Sequence, residues 1–171
     1  SDKLGLEIVN SINPYRLEGQ MTGAFEISDD LETAPDYQFM PVGNAGNISS
    51  YFKGYKKYMD DKIISKLPRL IGVQAENSAP LVDNKIIDSP HTIASAIRIG
   101  NPASSKLAKE AISVTGGKFM KVSDSEIINA QSILAKEEGL FCEPASAASL
   151  AGFLKYAENE NISCGIMYRR D

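Results

Sequence analysis

Pro41-Val42-Gly43-Asn44-Ala45-Gly46-Asn47 is the stretch on which the reading of this chain turns. A short apolar run, Tyr37-Gln38-Phe39-Met40, precedes it, and a run with helical spacing, Ile48 to Tyr58, follows. A glycine-rich turn between a strand and a helix aims several backbone N–H groups in one direction. The helix start adds its own free N–H groups and the positive end of its dipole, so the whole suits a phosphate or another anion. Gly43 and Gly46 give the backbone room to approach a ligand and to take turn conformations closed to other residues. Asn44 and Asn47 add neutral side-chain donors. The same residues also read as a plain strand-to-helix turn without a ligand, since glycine punctuates many α/β folds.

Upstream, Leu4 to Val9 is apolar enough for a strand, and Asn10-Ser11-Ile12-Asn13-Pro14-Tyr15-Arg16 reads as a polar loop after it. Short hydrogen-bonding side chains beside one guanidinium suit a phosphate or a carboxylate. The alternative is an Asx-type turn closed by Pro14 with Arg16 at the surface. Leu17 to Leu31 has the spacing of one helix, with Leu17, Met21, Ala24, Phe25 and Ile27 as inner positions. Thr33-Ala34-Pro35-Asp36 breaks that pattern.

Downstream, Tyr51, Phe52, Tyr55 and Tyr58 recur at three- and four-residue steps, which core packing explains better than ligand stacking. Arg69 to Ala75 predicts a buried strand, Glu76 to Pro90 a loop, and Thr92 to Ile97 a short helix. Ser105 to Val114 predicts a helix closed by Gly116-Gly117, followed by a strand over Lys118 to Val122. Ser123-Asp124-Ser125-Glu126 has the form of a capping box, opening a helix that stops near Gly139. Leu140-Phe141-Cys142 predicts a short strand, Pro144 to about Tyr156 a small-residue helix, and Ile162 to Met167 a last strand. Alternating strands and helices predict an α/β fold: three αβα layers around a mostly parallel sheet. Ligands of such sheets sit past the carboxyl ends of the strands. The loops at Asn10, Gly43 and Glu143 each follow a predicted strand and can converge there.

Composition narrows the function. At 171 residues, 43% hydrophobic and 23% charged, the chain suits one globular domain. The net charge of −4 is spread without a basic block, which argues against nucleic acid or an anionic membrane as partner. No apolar run spans a bilayer and no signal peptide is recognisable, so a cytoplasmic location is expected. Cys142 and Cys164 lack metal-ligand spacing and read as reduced, buried thiols. His91 is the only histidine, so neither a His-rich metal site nor a Ser-His-Asp triad is supported.

Four segments, in order, resemble threonine synthases, pyridoxal-phosphate enzymes of the tryptophan-synthase-β-like fold, called fold type II. They are Asn10 through Gln20, Val42 through Asn47, Ala96 through Ser104, and Glu138-Gly139 through Ala148. The resemblance runs in register from about Val9 to Tyr156. It implies a large cofactor-binding lobe and the lyase reaction of threonine biosynthesis, in which O-phospho-L-homoserine and water give L-threonine and phosphate with pyridoxal 5'-phosphate. It implies that Gly43, Asn44, Ala45, Gly46 and Asn47 hold the cofactor phosphate, and that Ile99 and Gly100 pack beside its ring. Glu143 matches a carboxylate near the ring edge, or caps the helix opened at Pro144. Asn10, Ser11 and Arg16 match residues that help hold the substrate phosphate, with Asn44 in reach of the same group.

The chain departs from that family pattern. The family's N-terminal half, with the Ser-Phe-Lys-Asp-Arg-like motif whose lysine bonds the cofactor, has no counterpart. Nor has the Leu-Thr-Gly-His-Gly-Leu-Lys-Asp-Pro-like tail, and Met21 stands where lysine is usual. Lys106 reads as a surface helix residue. The expectation is a single domain over residues 1–171 that is part of the enzyme and not a competent catalyst alone. It would act as a homo-oligomer or with the missing half. The alternatives are a stand-alone module binding phosphorylated metabolites, and another fold-type II lyase such as a serine or threonine dehydratase. The Asn10 to Arg16 loop speaks against a dehydratase, whose substrate carries no phosphate.

Overall fold

Three strands alternate with helices along the described residues of the computed structural model, 13–160. Strands β1 (Tyr37–Pro41), β2 (Arg69–Ala75) and β3 (Lys118–Val122) form a parallel sheet in the order β1-β2-β3. Phe39 pairs with Ile71, and Val73 sits between Pro41 and Met120. Parallel neighbours need crossovers. Helix α3 (Gly46–Asp60) makes the first. The second runs through α4 (Pro80–Asp83), a 3₁₀ turn at Ser95–Ile97, and α5 (Ser105–Thr115). Helices α1 (Pro14–Gln20) and α2 (Thr22–Leu31) precede the sheet, and α6 (Asp124–Glu137) and α7 (Pro144–Glu160) follow it.

Alternation along the strands sorts the core into two layers. Met40, Val42 and Leu70 pack with Ile48, Phe52 and Tyr55 of α3 and with Ala108 and Ala111 of α5. Phe39, Ile71 and Val73 pack on the opposite side with Ile127 and Leu134 of α6 and with Ala147, Ala148 and Ala151 of α7. The small residues of α7 let it lie close, and a Cβ on Gly152 would collide with the Val73 side chain. The expected αβα arrangement is therefore present.

Two buried amides join the layers. The Tyr55 hydroxyl donates to Gln38 Oε1 at 2.7 Å. Gln74, wholly buried, accepts at Oε1 from the N–H of Leu81 (2.9 Å) and of Val82 (3.4 Å), and donates from Nε2 to the Val42 carbonyl at 3.4 Å. It thereby satisfies the start of α4 and ties β2 to the chain entering the Gly43–Asn47 turn.

Several expectations are corrected. Leu17 to Leu31 is not one helix. The ladder breaks at Met21, where the Ala24 N–H bonds to the Met21 carbonyl three residues back, at 3.1 Å. Arg16 is not in a loop but in the first turn of α1. Asn13 caps that turn, its Oδ1 accepting from the Tyr15 N–H at 2.9 Å, and Pro14 supplies the preset φ of a first helical residue. Leu140-Phe141-Cys142 is irregular rather than a strand. The Glu76 to Pro90 stretch contains α4, and the predicted helix at Thr92 to Ile97 contracts to the 3₁₀ turn. The predicted strands at Leu4 to Val9 and Ile162 to Met167 lie outside the described residues, as do Asn10, Ser11 and Cys164. The capping box of Ser123 and Glu126 forms as expected, Gly116 (φ 63°) closes α5, and Cys142 is a buried free thiol.

Candidate functional site

The turn after β1 opens on the carboxyl edge of the sheet and forms one wall of a cleft of about 190 Å³. Pro41, Gly43, Asn44, Ala45, Gly46 and Asn47 line that wall. Arg16 and Gln20, one turn apart on α1, also line the cleft, as do Ala96 and Ile97. Helix α1 packs on α3, which brings Arg16 to the cleft from thirty residues upstream of Gly46.

The cradle is built by backbone. Helix α3 starts at Gly46 with no side-chain cap and no acidic residue in its first turn. Its leading N–H groups have no acceptor within the helix. The left-handed residue is Ala45 (φ 65°), not either glycine, which corrects the expectation for this turn. Gly43 is needed for close approach: a Cβ there would stand 2.9 Å from the Ala96 carbonyl oxygen and 3.1 Å from Ile97 Cα. Asn44 is clipped to the chain ahead of α5. Its carbonyl accepts from the Ser104 N–H at 3.0 Å and its Oδ1 from the Ala103 N–H at 3.4 Å. Ser49 and Ser50 point back into their own helix, bonding the carbonyls of Ala45 and Gly46 at 2.7 and 2.9 Å.

Ile99 and Gly100 stand outside the lining of the cleft. Ile99 packs behind Gly43, its Cγ1 3.3 Å from where a Cβ would be. Gly100 is held against the Ile87 carbonyl, which a Cβ would strike, and its own carbonyl accepts from the Ile87 N–H at 3.0 Å. The residues that reach the cleft from this segment are Ala96 and Ile97, three places earlier than expected. Glu143 precedes α7, is exposed, and is not among the lining residues. Lys106 is exposed on α5, as expected. Gln20 was missed, although its four-residue step from Arg16 places both on one helix face.

The donor set fits a phosphate. The turn's backbone N–H groups, Arg16, Gln20 and Asn44 bring donors to the lining of the cleft, and among the described residues no carboxylate lines it. Among the described residues no cluster of three His, Cys, Asp or Glu could hold a metal ion, and no helix is long and apolar enough to cross a membrane.

A family model described as pyridoxal-phosphate dependent enzyme matches residues 3–166. The chain belongs to the pyridoxal-phosphate dependent enzyme family. It is 52% identical over 160 residues to the threonine synthase of Mycobacterium tuberculosis, covering 94% of this chain and 44% of that protein. It is 51% identical over 165 residues to the threonine synthase of Halalkalibacterium halodurans, covering 96% of this chain and 46% of the relative. The chain thus spans less than half the length of the curated relatives it matches. In fold it superposes on the processed form of threonine deaminase isoform 2 from Solanum lycopersicum with a TM-score of 0.81. That match has 21% identity and covers 98% of this chain and 46% of the other.

Proposed function

We propose that this chain is the cofactor- and substrate-phosphate-binding part of a threonine synthase, which converts O-phospho-L-homoserine and water to L-threonine and phosphate. The observation that carries the reading is the single cleft shared by the Gly43–Asn47 turn and Arg16. Gly43 through Asn47 would hold the phosphate of pyridoxal 5'-phosphate with main-chain N–H groups. When bound, that cofactor supplies an electron sink for carbanions formed on the amino acid. Arg16, with Asn44, would hold the phosphate that leaves the substrate, its planar fork matching two phosphate oxygens. Asn10 and Ser11 join that group in the reading, although both lie outside the described residues. Glu143 keeps its proposed place near the ring edge on the resemblance alone.

The residues that line the cleft bind and orient anions, and none of them offers a lysine amine to bond the cofactor. On this reading the chain binds but does not turn over, and the covalent step belongs to sequence that the longer relatives carry. The test is titration of the purified chain with pyridoxal phosphate and with O-phosphohomoserine, then addition of the N-terminal half of a close relative. Binding of both ligands and restored threonine formation support the reading. Binding without any rescue favours a non-catalytic module, and a borohydride-trapped adduct on one lysine of the chain alone defeats the claim of incompetence.

A further inference from the structure

Residues 92–99 run across the carboxyl edge of the sheet as a strap with only the 3₁₀ turn at Ser95–Ile97 for regular structure. Each strand end meets it. After β1, Gly43 abuts the Ala96 carbonyl and Ile97 Cα. After β2, the buried Ser78, whose N–H bonds the Ala75 carbonyl at 2.8 Å, sends its hydroxyl to the carbonyls of Ile97 (3.2 Å) and Ile99 (3.4 Å). After β3, Asp124 opens α6 and takes the other end of the strap. Its Oδ1 accepts from the buried Thr92 hydroxyl at 2.5 Å and its Oδ2 from the Ile93 N–H at 3.2 Å. Thr92 Oγ1 in turn accepts from the Ala94 N–H at 3.1 Å.

Within the strap the backbone bonds are short-range, from the N–H groups of Ser95, Ile97, Arg98 and Ile99 to the carbonyls of Ile93, Ala94, Ser95 and Ile97. Those bonds shape the strap locally, and its placement against the sheet is set by the partners that its polar groups find outside it. Here those partners are the Asp124 carboxylate, reached by Thr92 and Ile93, and the Ser78 hydroxyl, and neither Asp124 nor Ser78 lines the cleft. Ser78 bonds the Ile97 carbonyl directly, and Ile97 and its neighbour Ala96 do line it.

We propose that Asp124, acting through Thr92, and Ser78 are positioning residues that set the Ala96–Ile97 wall of the cleft and so govern how well the ring of the cofactor, as distinct from its phosphate, is held. This rests on the reading of the cleft as a pyridoxal-phosphate site. The cradle at Gly43–Asn47 takes the anion, so the Ala96–Ile97 wall takes what the anion is attached to. Freeing the strap therefore acts on pyridoxal phosphate more than on inorganic phosphate. The clamp is charge-assisted, since Asp124 offers both oxygens to two donors, and an uncharged amide in its place keeps one acceptor only.

The experiment titrates the wild-type chain and its Asp124→Ala, Asp124→Asn, Thr92→Val and Thr92→Ser variants with pyridoxal phosphate and, separately, with inorganic phosphate. Amide exchange is followed residue by residue in the same samples. Asp124→Ala and Thr92→Val are expected to weaken pyridoxal phosphate about tenfold, to leave inorganic phosphate within about twofold, and to speed exchange at Ile93 and Ala94. Thr92→Ser, which keeps the hydroxyl, restores all three, and Asp124→Asn falls between. Equal loss for both ligands, or faster exchange with unchanged pyridoxal phosphate affinity, overturns the proposal. Should Asp124→Ala fail to fold, the contrast between Thr92→Val and Thr92→Ser carries the test. If the wild-type chain binds neither ligand, the cofactor reading falls and the proposal with it, and that failure is recognised before any substitution is made.

Discussion

Gly43 and Ala96, which both line the cleft, approach so closely that a methyl group on Gly43 would stand 2.9 Å from the Ala96 carbonyl oxygen. Both partners are backbone, and neither can rotate away. Gly43→Ala must therefore push the strap or the cradle, with an overpacking cost of about 1–3 kcal/mol. The expected outcome is a lower thermal midpoint together with weaker pyridoxal phosphate binding, read by melting and titration. An unchanged affinity would mean that this contact does not shape the site.

Arg16→Ala separates the two anions. A hydrogen bond to a charged group contributes about 1.5–3 kcal/mol, so loss of the guanidinium should weaken O-phosphohomoserine by roughly tenfold to a hundredfold. Pyridoxal phosphate, held by main-chain N–H groups, should change much less. Calorimetric titration of both ligands checks this, and equal losses would undo the assignment of two phosphate positions.

Ala45 holds φ 65° at the start of α3, a conformation that costs an L-residue roughly 1–2 kcal/mol. Ala45→Gly removes that strain, and the extra freedom of glycine in the unfolded chain offsets part of the gain. The net expectation is a thermal midpoint equal to or above that of wild type, against the usual loss on introducing glycine. Ala45→Val adds a β-branched side chain to the same conformation and should lower the midpoint. Differential scanning calorimetry distinguishes the two.

Glu126 couples the β3–α6 junction to pH. Burial alone would raise its carboxyl, but the Ser123 N–H, the Lys155 ammonium and the Ser123 hydroxyl outweigh burial and hold it below its ordinary value of 4.5. The Ser123 N–H donates to Glu126 Oε2 at 2.6 Å, and Lys155 Nζ lies 3.0 Å from Oε1. The folded chain thus binds this proton less readily than the unfolded chain. The stabilisation is fully present above the ordinary value and is lost as pH falls through the depressed one. Melting temperature against pH should drop more steeply below about 4.5 in wild type than in Glu126→Gln, which keeps an acceptor and carries no charge.

Much of the fold was legible because its signals are local. Ser123 and Glu126 three residues apart announced a capping box, Gly116 a helix stop, and Arg69 to Ala75 a buried strand, and all three stand. The failures are also local signals, overridden or misread. Asn13-Pro14 is a helix start as well as a turn, and the chain used it as the former, so Arg16 became helical. Leu140-Phe141-Cys142 has strand composition but is irregular among the described residues. At the candidate site, residue type pointed to the Gly43–Asn47 turn and to Arg16, and both line the cleft. It could not pick Ala96 and Ile97 over Ile99 and Gly100, because all four are apolar or small and lie within five positions. Which of them faces the cleft depends on where Ser78 and Asp124 pin the strap, and those anchors come from the turn after β2 and the start of α6.

By itself, the sequence determined the supply of donors: a glycine-bearing turn leading into a helix, and an arginine with short polar neighbours, offer N–H groups wherever they are placed. Only the tertiary structure decided that these donors share one cleft and which apolar residues wall it. Packing of α1 on α3 and the hydrogen bonds of the strap are contacts between segments far apart in the chain, and no local pattern of residues specifies their distance or direction.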